Sequence, residues 1–453
     1  MKRKKEKNMK KIKFLALLAA MALSVTGCGG DKADGEIVVE GQQGANPGAG
    51  GIDATITVQA EKTWMPHYEA AAARVLAENP NASIEIIEMG SFDVFDLIDS
   101  TDITNEDIAD VFALPLDRVY GMAQNEVLAA MDAPAMAARI GGWDDFDAGL
   151  GGAFNIDGSY LAFPLNIETL IVYANKANAA KNGIDLTTPV EFSDLGYEEM
   201  LSVVHDAWFG VAFTNSIALN LLDVEPDGTF KTDLTKNFSE LTPAQQQFFT
   251  SLFDYWKAHY AGATDLWDKD AAWGYVDASF MSGGPTSLRI DGPWAAPAMA
   301  EKTNGGADLE ILPLDFITLN GNPLRHWKSG WGLAINARIE EDPAKMALAE
   351  EMIEEIVNPA YAESLFNVSG KILENVPVEV YQVSGLDDMS KEIIAATLES
   401  YNEAVSRPLF TEWGQVWGTW QNALLSWSAT QPKNVEEAYK EVQASFEAMM
   451  SSI

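Results

Sequence analysis

Strand-like apolar runs alternate with helical segments along this chain, and that alternation constrains its fold more than any other feature. "ATITVQA" (54–60) and "ASIEIIEMG" (82–90) are predicted strands on either side of a helical segment, and "ADVFALP" (109–115) resembles a buried parallel strand. "YLAFPLNIETLIVYANK" (160–176) is predicted as a strand pair interrupted at Pro164. The alternation is typical of α/β layers with parallel sheets. Since 453 residues exceed the size of a single core, we expect two lobes.

Several helices are marked by their first residues. A Thr-Pro pair at 242–243 and an Asp-Pro pair at 342–343 each place an N-cap residue before a proline at the first helical position. Asn434 is predicted to cap a last helix over residues 435–450, with Glu437 completing a capping box.

The N-terminal segment has the features of an export signal. A basic start, "MKRKKEKNMKKIK", precedes the apolar run "FLALLAAMALSV", which is too short to span a bilayer. "LSVTGC" resembles a bacterial lipobox, which implies removal of residues 1–27 and attachment of diacylglycerol to Cys28, the only cysteine. Residues 28–53 are rich in glycine and lack aromatic residues, as a lipid-anchored flexible tether does. We therefore expect a lipoprotein on the extracellular face of a bacterial cytoplasmic membrane.

The charge of the chain limits its ligands. The net charge is −37, and the first 27 residues carry eight Lys or Arg and one Glu, so removing their +7 leaves −44. A surface of this sign repels nucleic acids and anionic substrates. A neutral or cationic ligand is favoured.

Catalytic signatures are missing from the sequence. There is no G-x-S-x-G, P-loop, H-E-x-x-H or C-x-x-C motif, and we expect neither an enzyme nor a bound metal or cofactor. The four histidines, which are isolated from one another in sequence, are predicted as surface or core-edge residues. The acidic stretch 265–277 lacks the spacing of a calcium loop and is predicted to be a solvated loop.

Tryptophan is the most informative residue type. Thirteen are present, seven of them after residue 290, and an indole can stack on the C–H face of a sugar while polar groups bind its hydroxyls. "FTEWGQVWGTWQNALLSW" carries an apolar stripe at helical spacing. We predict that Trp420, Leu424 and Trp427 face the core, whereas Trp413 and Trp417 fit either the core or a cleft.

Five motifs occur in the order found in the extracellular solute-binding proteins (family 1) of ABC sugar importers, and among these they resemble the maltose/maltodextrin-binding proteins. They are "ADVFALPLDRVYGMAQNEVLAAMD", "SYLAFPLNIETLIVYANK", "TSLRIDGPWA", "GWGLAINA" and "IIAATLESYNEAVSRPLFTEWGQVWGTW". The resemblance implies an α/β, two-lobed, periplasmic-binding-protein-like (type II) fold with a hinge and an interlobe cleft. It also implies crossings near 166–168, 328–333 and 387–393. The expected lobes are 54–166 with 333–387 and 168–328 with 393–453.

The same resemblance implies a set of ligand-binding residues. The acidic-Lys pair Glu61 and Lys62 and the Asp-Arg pair Asp117 and Arg118 would bond sugar hydroxyls, and the carboxylate of Glu168 would lie at the first crossing. The motif "DAWF" would add the acid Asp206 and the aromatics Trp208 and Phe209. The indoles of Trp294 and Trp417 would stack on the sugar, with Trp413 as a further candidate. The first pair also fits a solvated loop, and the second fits a helix cap or a local ion pair.

Trp294 follows the turn Asp291-Gly292-Pro293. Glycine lets the backbone turn sharply and proline fixes φ, so the turn would hold the indole rigidly at a cleft rim. The competing interpretation is a hydrophobic plug at a strand end.

The sequence also departs from the family pattern. Leu114 replaces a stacking tryptophan, Gly418 replaces a tyrosine, and Gln421 replaces an arginine. Trp64, Phe92 or Trp413 would have to compensate for the lost stacking. These changes affect the preferred chain length first and the identity of the glucan second.

The resulting expectation is a monomeric lipoprotein that captures neutral malto-oligosaccharides and presents them to an ABC permease. One alternative is a binding protein for another neutral oligosaccharide, such as a xylo- or fructo-oligosaccharide. Another is a surface glycoside hydrolase that uses a carboxylate pair such as Asp117 and Glu168.

Overall fold

The computed structural model describes residues 51–101 and 103–453. The predicted signal, Cys28 and most of the predicted tether therefore lie outside the described residues. Ile52, near the end of that tether, is buried, and its backbone N–H donates to Asn79 Oδ1 at 2.8 Å.

The first sheet has six strands and builds one half of the body. Three parallel strands, beginning with Thr55–Ala60, are joined to the antiparallel strand Trp327–Ile335, which also pairs with Phe163–Glu168. The six strands are Thr55–Ala60, Ser83–Glu88, Val111–Pro115, Phe163–Glu168, Trp327–Ile335 and Val405–Ser406.

The second sheet has four strands, and the first sheet leads directly into it. Phe163–Glu168 ends in the first sheet, and only residues 169–170 separate it from Ile171–Asn175, a middle strand of the second. The four strands in order are Leu309–Leu312, Ile171–Asn175, Leu288–Asp291 and Met200–Leu201. Smaller sheets are formed by Val190–Glu191 with Ile317–Leu319 and Asn322–Pro323, by Asp223–Val224 with Phe230–Lys231, and by Asn155–Ile156 with Ser159–Tyr160.

Helices cover both sheets, and the predicted caps of the three helices are present. Thr242 accepts from Gln245 N in a full capping box, Asp342 accepts from Ala344 N, and Asn434 accepts from Glu437 N. The Glu437 side chain accepts from Lys433 N and not from the cap residue's own N–H, so the predicted last capping box is incomplete. Within the described ranges, no helix combines the length and apolarity needed to cross a bilayer.

The α-helices of the described residues are Met65–Glu78, Ser91–Ser100, Val119–Gln124, Ala133–Ile140, Leu150–Ala153, Lys176–Asn182, Ala207–Ser216, Pro243–Ala261, Ala272–Phe280, Ala296–Lys302, Pro343–Ile356, Ala362–Ser369, Val378–Gln382, Asp388–Asn402, Gly414–Leu425, Trp427–Thr430 and Val435–Met450.

Two hydrophobic cores result. The first surrounds the six-stranded sheet, and the second lies between the four-stranded sheet and the C-terminal helices. Successive side chains of Ile171–Asn175 point to opposite faces of its sheet and therefore enter different cores. Ile171 and Tyr173 belong to the first core, and Val172 and Ala174 belong to the second. Trp420, Leu424 and Trp427 are fully buried in the second core, which confirms their predicted core positions.

Several sequence expectations were wrong. The sheets are mixed and not purely parallel, because Trp327–Ile335 runs antiparallel to Val111–Pro115 and Phe163–Glu168, and Ile171–Asn175 runs antiparallel to both of its neighbours. Pro164 does not interrupt the strand pair. It lies inside Phe163–Glu168, where the pairing register shifts opposite Trp331 and Gly332, and such an irregularity tolerates a missing N–H donor.

The predicted solvated loop and the histidine positions also need correction. Residues 265–277 include a 3-10 turn, Asp265–Trp267, and most of the helix Ala272–Phe280. All four histidines are buried at 1% exposure or less, because each ring forms a side-chain or backbone hydrogen bond inside the fold.

Candidate functional site

A buried guanidinium, that of Arg407, is the centre of the candidate site. It follows the short strand Val405–Ser406, donates to Ser329 Oγ at 2.9 Å and lies 3.1 Å from the Asp117 carboxylate. Three indoles surround it, with ring centroids 5.3, 5.1 and 5.8 Å from its central carbon, and they belong to Trp208, Trp327 and Trp417 respectively. Burial lowers the pKa of Arg407, and the carboxylates Asp117 and Glu168 oppose that effect. A planar cation among rings and carboxylates suits neutral, hydroxyl-bearing ligands.

Glu168 lies at the end of the strand that connects the two sheets. Burial raises its pKa, while Lys371, Arg407 and a hydrogen bond from Trp331 act in the opposite direction. Lys371 donates to Asn166 Oδ1 at 3.0 Å, and burial lowers its pKa to about 8 despite the nearby Glu168 and Glu61. Two cations, Lys371 and Arg407, therefore favour the charged form of this buried carboxylate.

Trp294 is exposed, with 48% of its surface accessible. Its ring centroid lies 6.5 Å from that of Trp208, which places it beside the indoles around Arg407. The turn that carries it is fixed from two sides, because Asp291 Oδ1 accepts from Gly292 N and Tyr173 Oη donates to Gly292 O, both at 2.9 Å. Asp291 is itself held by Arg289 at 2.6 Å.

The reason for Gly292 differs from the predicted one. Its φ is −89°, a conformation open to any residue. A Cβ atom at this position would instead overlap the six-membered ring of Trp294, which folds back over the glycine. Gly292 is needed for the space that the indole occupies.

A cavity of about 680 Å³ adjoins the Arg407 cluster. Its lining residues come from 98–101, from Ile103, and from the segments 117–127 and 407–417. Of the predicted site residues, Asp117, Arg118, Trp413 and Trp417 line it. The volume lies within the range of small-ligand sites.

The structure brings together Asp117, Glu168, Trp208, Trp294 and Trp417, all of which lie around Arg407 or next to its indoles. Glu61 joins this group through Lys371, and its Oε1 accepts from Ser91 N at 3.4 Å. Arg118 does not pair with Asp117. It pairs with Asp99 at 2.8 Å.

Other predicted residues have structural roles or lie apart from the cluster. Asp206 caps the helix Ala207–Ser216 by accepting from Trp208 N at 2.9 Å, and burial raises its pKa. Phe209 is buried in the second core against Trp273, and Trp413 is buried against Trp327 and Trp417. Lys62 is exposed. Contact of these residues with a ligand stays a prediction.

Sequence reasoning missed Arg407, Lys371, Trp327 and Trp331. Arg407 is a single cation inside a motif quoted for its tryptophans, "SRPLFTEWGQVWGTW", and Lys371 lies in "SGKILEN", which resembles no motif. The signal available for Arg407 was its position before a proline and an aromatic-rich helix. No set of three or more potential metal-ligating side chains is close together in the part of the chain that the structure describes.

The chain has a two-lobed α/β fold of the kind found in periplasmic maltose-binding proteins, and solved structures show this likeness. The maltose-binding protein MalE of Listeria monocytogenes, solved with maltose, matches with a TM-score of 0.65 and 16% identity over 88% of this chain and 99% of its own. MalX of Streptococcus pneumoniae, solved with maltopentaose, matches with a TM-score of 0.64 and 15% identity over 87% and 99%.

Sequence comparison identifies a relative that is also a maltodextrin-binding protein. The chain is 24% identical over 438 residues to the maltodextrin-binding protein MdxE of Bacillus subtilis (strain 168), covering 89% of this chain and 90% of that protein. No protein-family model matches the chain. The predicted resemblance to maltose/maltodextrin-binding proteins of ABC importers is thereby confirmed.

Proposed function

We propose that this protein is a lipid-anchored solute-binding protein that captures malto-oligosaccharides for uptake by an ABC importer. The observation that carries the proposal is the Arg407 cluster, in which two carboxylates and several indoles converge beside a 680 Å³ cavity. Carboxylates and guanidinium groups bind sugar hydroxyls, while indoles cover the C–H faces of the rings. The names of the relatives support a maltodextrin as the cargo.

The predicted lobes would close around the ligand. The connection at residues 169–170 is short and joins two separate sheets, which suits a hinge. Closure of the predicted lobes would move Asp117 and Arg118 relative to Trp417, and all three line the cavity. A permease would then distinguish the liganded, closed form from the empty one.

The lipid anchor rests on sequence alone. The lipobox-like "LSVTGC" and the glycine-rich segment after Cys28 fit a monomer tethered to the extracellular face of the membrane. Metabolic labelling with a fatty acid tests this part separately, with Cys28→Ser as the control that should lose the label.

Titration with maltotetraose followed by calorimetry and tryptophan fluorescence tests the sugar. We expect saturable binding, a fluorescence change from the indoles near Arg407, and recovery of intact tetraose. If the protein binds a xylo- or fructo-oligosaccharide and no α-glucan, the proposed sugar is wrong, but the protein remains a sugar-binding protein.

Release of glucose in the same experiment would favour the hydrolase. Asp117 raises the pKa of Glu168, as one carboxylate of a catalytic pair does to another, and this makes the check worthwhile. Arg407, however, holds Asp117 in an ion pair and favours the charged form of Glu168. Ligand binding without hydrolysis is the expected result.

A further inference from the structure

Phe92 is the most exposed aromatic side chain of the described residues. Its accessible fraction is 69%, compared with 48% for Trp294. It lies in the first turn of the helix Ser91–Ser100, where a polar residue would satisfy the helix equally well. Leaving an aromatic ring in water forgoes the stabilisation that its burial would bring, so a second reason for this residue is expected.

The ring stands on a buried aromatic base. Phe95 and Trp331, 5% and 9% exposed, stack on each other with an interplanar angle of 27°. Phe92 meets both at right angles, with centroids 5.8 Å away and interplanar angles of 87° and 89°. Edge contacts of this kind hold the ring upright and leave area on its faces accessible.

The neighbouring aromatic faces are already covered by cations. The Lys371 ammonium lies 4.6 Å from the ring centroid of Trp64 and 5.0 Å from that of Trp331. The Arg118 guanidinium lies 5.2 Å from the centroid of Phe95. Within the described residues, no cation lies over Phe92. With 69% of its surface accessible, Phe92 is the aromatic ring of this group that remains open.

Polar groups of the candidate site converge on the same place. Glu61 accepts from the N–H of Ser91, the residue before Phe92. Trp331, on which Phe92 stands, belongs to the strand that pairs with the strand ending at Glu168, and it acts to lower the pKa of Glu168. The carboxylates of Glu168 and Glu61 both lie close enough to Lys371 to favour its charged form, against the effect of burial. An open apolar face beside hydroxyl-binding carboxylates matches the two chemically different sides of a sugar ring.

We propose that Phe92 forms a stacking subsite for one pyranose ring of a neutral oligosaccharide, with its base made by Phe95 and Trp331. The inference rests on the proposed sugar-binding function and adds a specificity-determining residue on the side of the site that Glu61 and Lys371 occupy. Trp64 and Trp413 are each only 5% exposed, so neither offers a comparable face.

Calorimetry with maltotetraose on Phe92→Ala, Phe92→Leu and Phe92→Tyr tests the subsite. We expect Ala and Leu to weaken binding about tenfold, because both remove the ring, and Tyr to stay within about twofold, because it keeps the face. Val383→Ala is the matched control, since Val383 is an exposed apolar residue, at 87%, of a different helix end. All variants should melt within a few degrees of the unmodified protein.

The outcomes separate the inference from the function. Unchanged affinity in Phe92→Ala, with normal binding by the unmodified protein, overturns the subsite and leaves the proposed function standing. Full affinity in Phe92→Leu also overturns it, because a branched alkyl group would then serve as well as a ring. If the unmodified protein binds no neutral oligosaccharide in a broad panel, the proposed function is wrong, and the proposed subsite is then wrong as well.

Discussion

The Arg407 guanidinium lies 3.1 Å from the Asp117 carboxylate, and this pair joins residues that are almost three hundred positions apart in the chain. Arg407 is nearly inaccessible, with 4% of its side chain exposed, whereas Asp117 retains 36%. The cation is therefore fixed inside the protein while its partner still faces the cavity. A ligand can reach Asp117 without displacing Arg407.

Replacing Arg407 with Leu should weaken both binding and folding. The variant loses the ion pair with Asp117, the bond to Ser329 and a cation among three indoles. We expect a loss of about 1–3 kcal/mol in unfolding free energy and at least about tenfold in maltotetraose affinity, measured by denaturation and calorimetry. Arg325→Leu is the control, because that arginine is exposed and pairs with Glu403 only at 3.7 Å. Equal effects in both variants would contradict the role given to Arg407.

Trp294→Ala should separate binding from stability. Nearly half of Trp294 is accessible, so its removal should shift the melting temperature little while most sugar affinity is lost. Trp420→Ala should instead lower stability strongly, because this indole is fully buried and donates to Val204 O at 2.8 Å. We expect a loss of about 3–5 kcal/mol in unfolding free energy. Calorimetry and thermal melting of both variants decide the point. A large stability loss in Trp294→Ala would favour the hydrophobic-plug interpretation.

Gly292→Ala tests how the turn positions Trp294. The backbone conformation allows alanine, but the new methyl group would overlap the indole, so the ring must move. We expect the fold to persist and sugar affinity to fall toward that of Trp294→Ala, with a changed tryptophan emission spectrum. Gly274→Ala is the control, since a Cβ atom there meets nothing within 4 Å. Unaltered binding in Gly292→Ala would show that the indole position tolerates displacement.

Acid should destabilise the protein through its buried histidines. Burial lowers the pKa of His205 and His259 to about 4 and that of His326 to about 3. Below an unfolded-state pKa near 6.5 the unfolded chain binds protons that the native state does not, so stability falls as pH falls. At pH 5.5 each histidine should cost about 1 kcal/mol relative to pH 7.5. Carboxyl groups with raised pKa, such as Glu168 and Glu374, act in the opposite sense at lower pH.

Thermal melting at pH 7.5 and 5.5 measures this effect, and we expect a decrease of a few degrees. His259→Gln should reduce the decrease by roughly a quarter to a third, because it removes one of three histidines with strongly lowered pKa and burial lowers the pKa of His67 as well. A melting temperature that is the same at both pH values would contradict the assignment of neutral, buried imidazoles.

Local patterns were sufficient to predict many elements of the fold. The capped helices at Thr242, Asp342 and Asn434 begin where predicted, because capping depends on residues within one helical turn. The buried stripe of Trp420, Leu424 and Trp427 was predictable for the same reason. Strand direction was not, since Trp327–Ile335 runs antiparallel to a neighbour more than two hundred residues away. The predicted lobe boundaries stay predictions.

For the candidate site, the sequence by itself determined which residue types were available, and the tertiary structure decided which of them meet. Asp117, Glu168, Trp294 and Trp417 were identified from motifs that are each contiguous in the chain. Only folding brought Arg407 and Lys371 among them, and only folding buried Trp64 and Trp413 while leaving Phe92 exposed. The physical reason is that ion pairing, desolvation and the covering of a ring face depend on distance in space, which the order of residues does not contain.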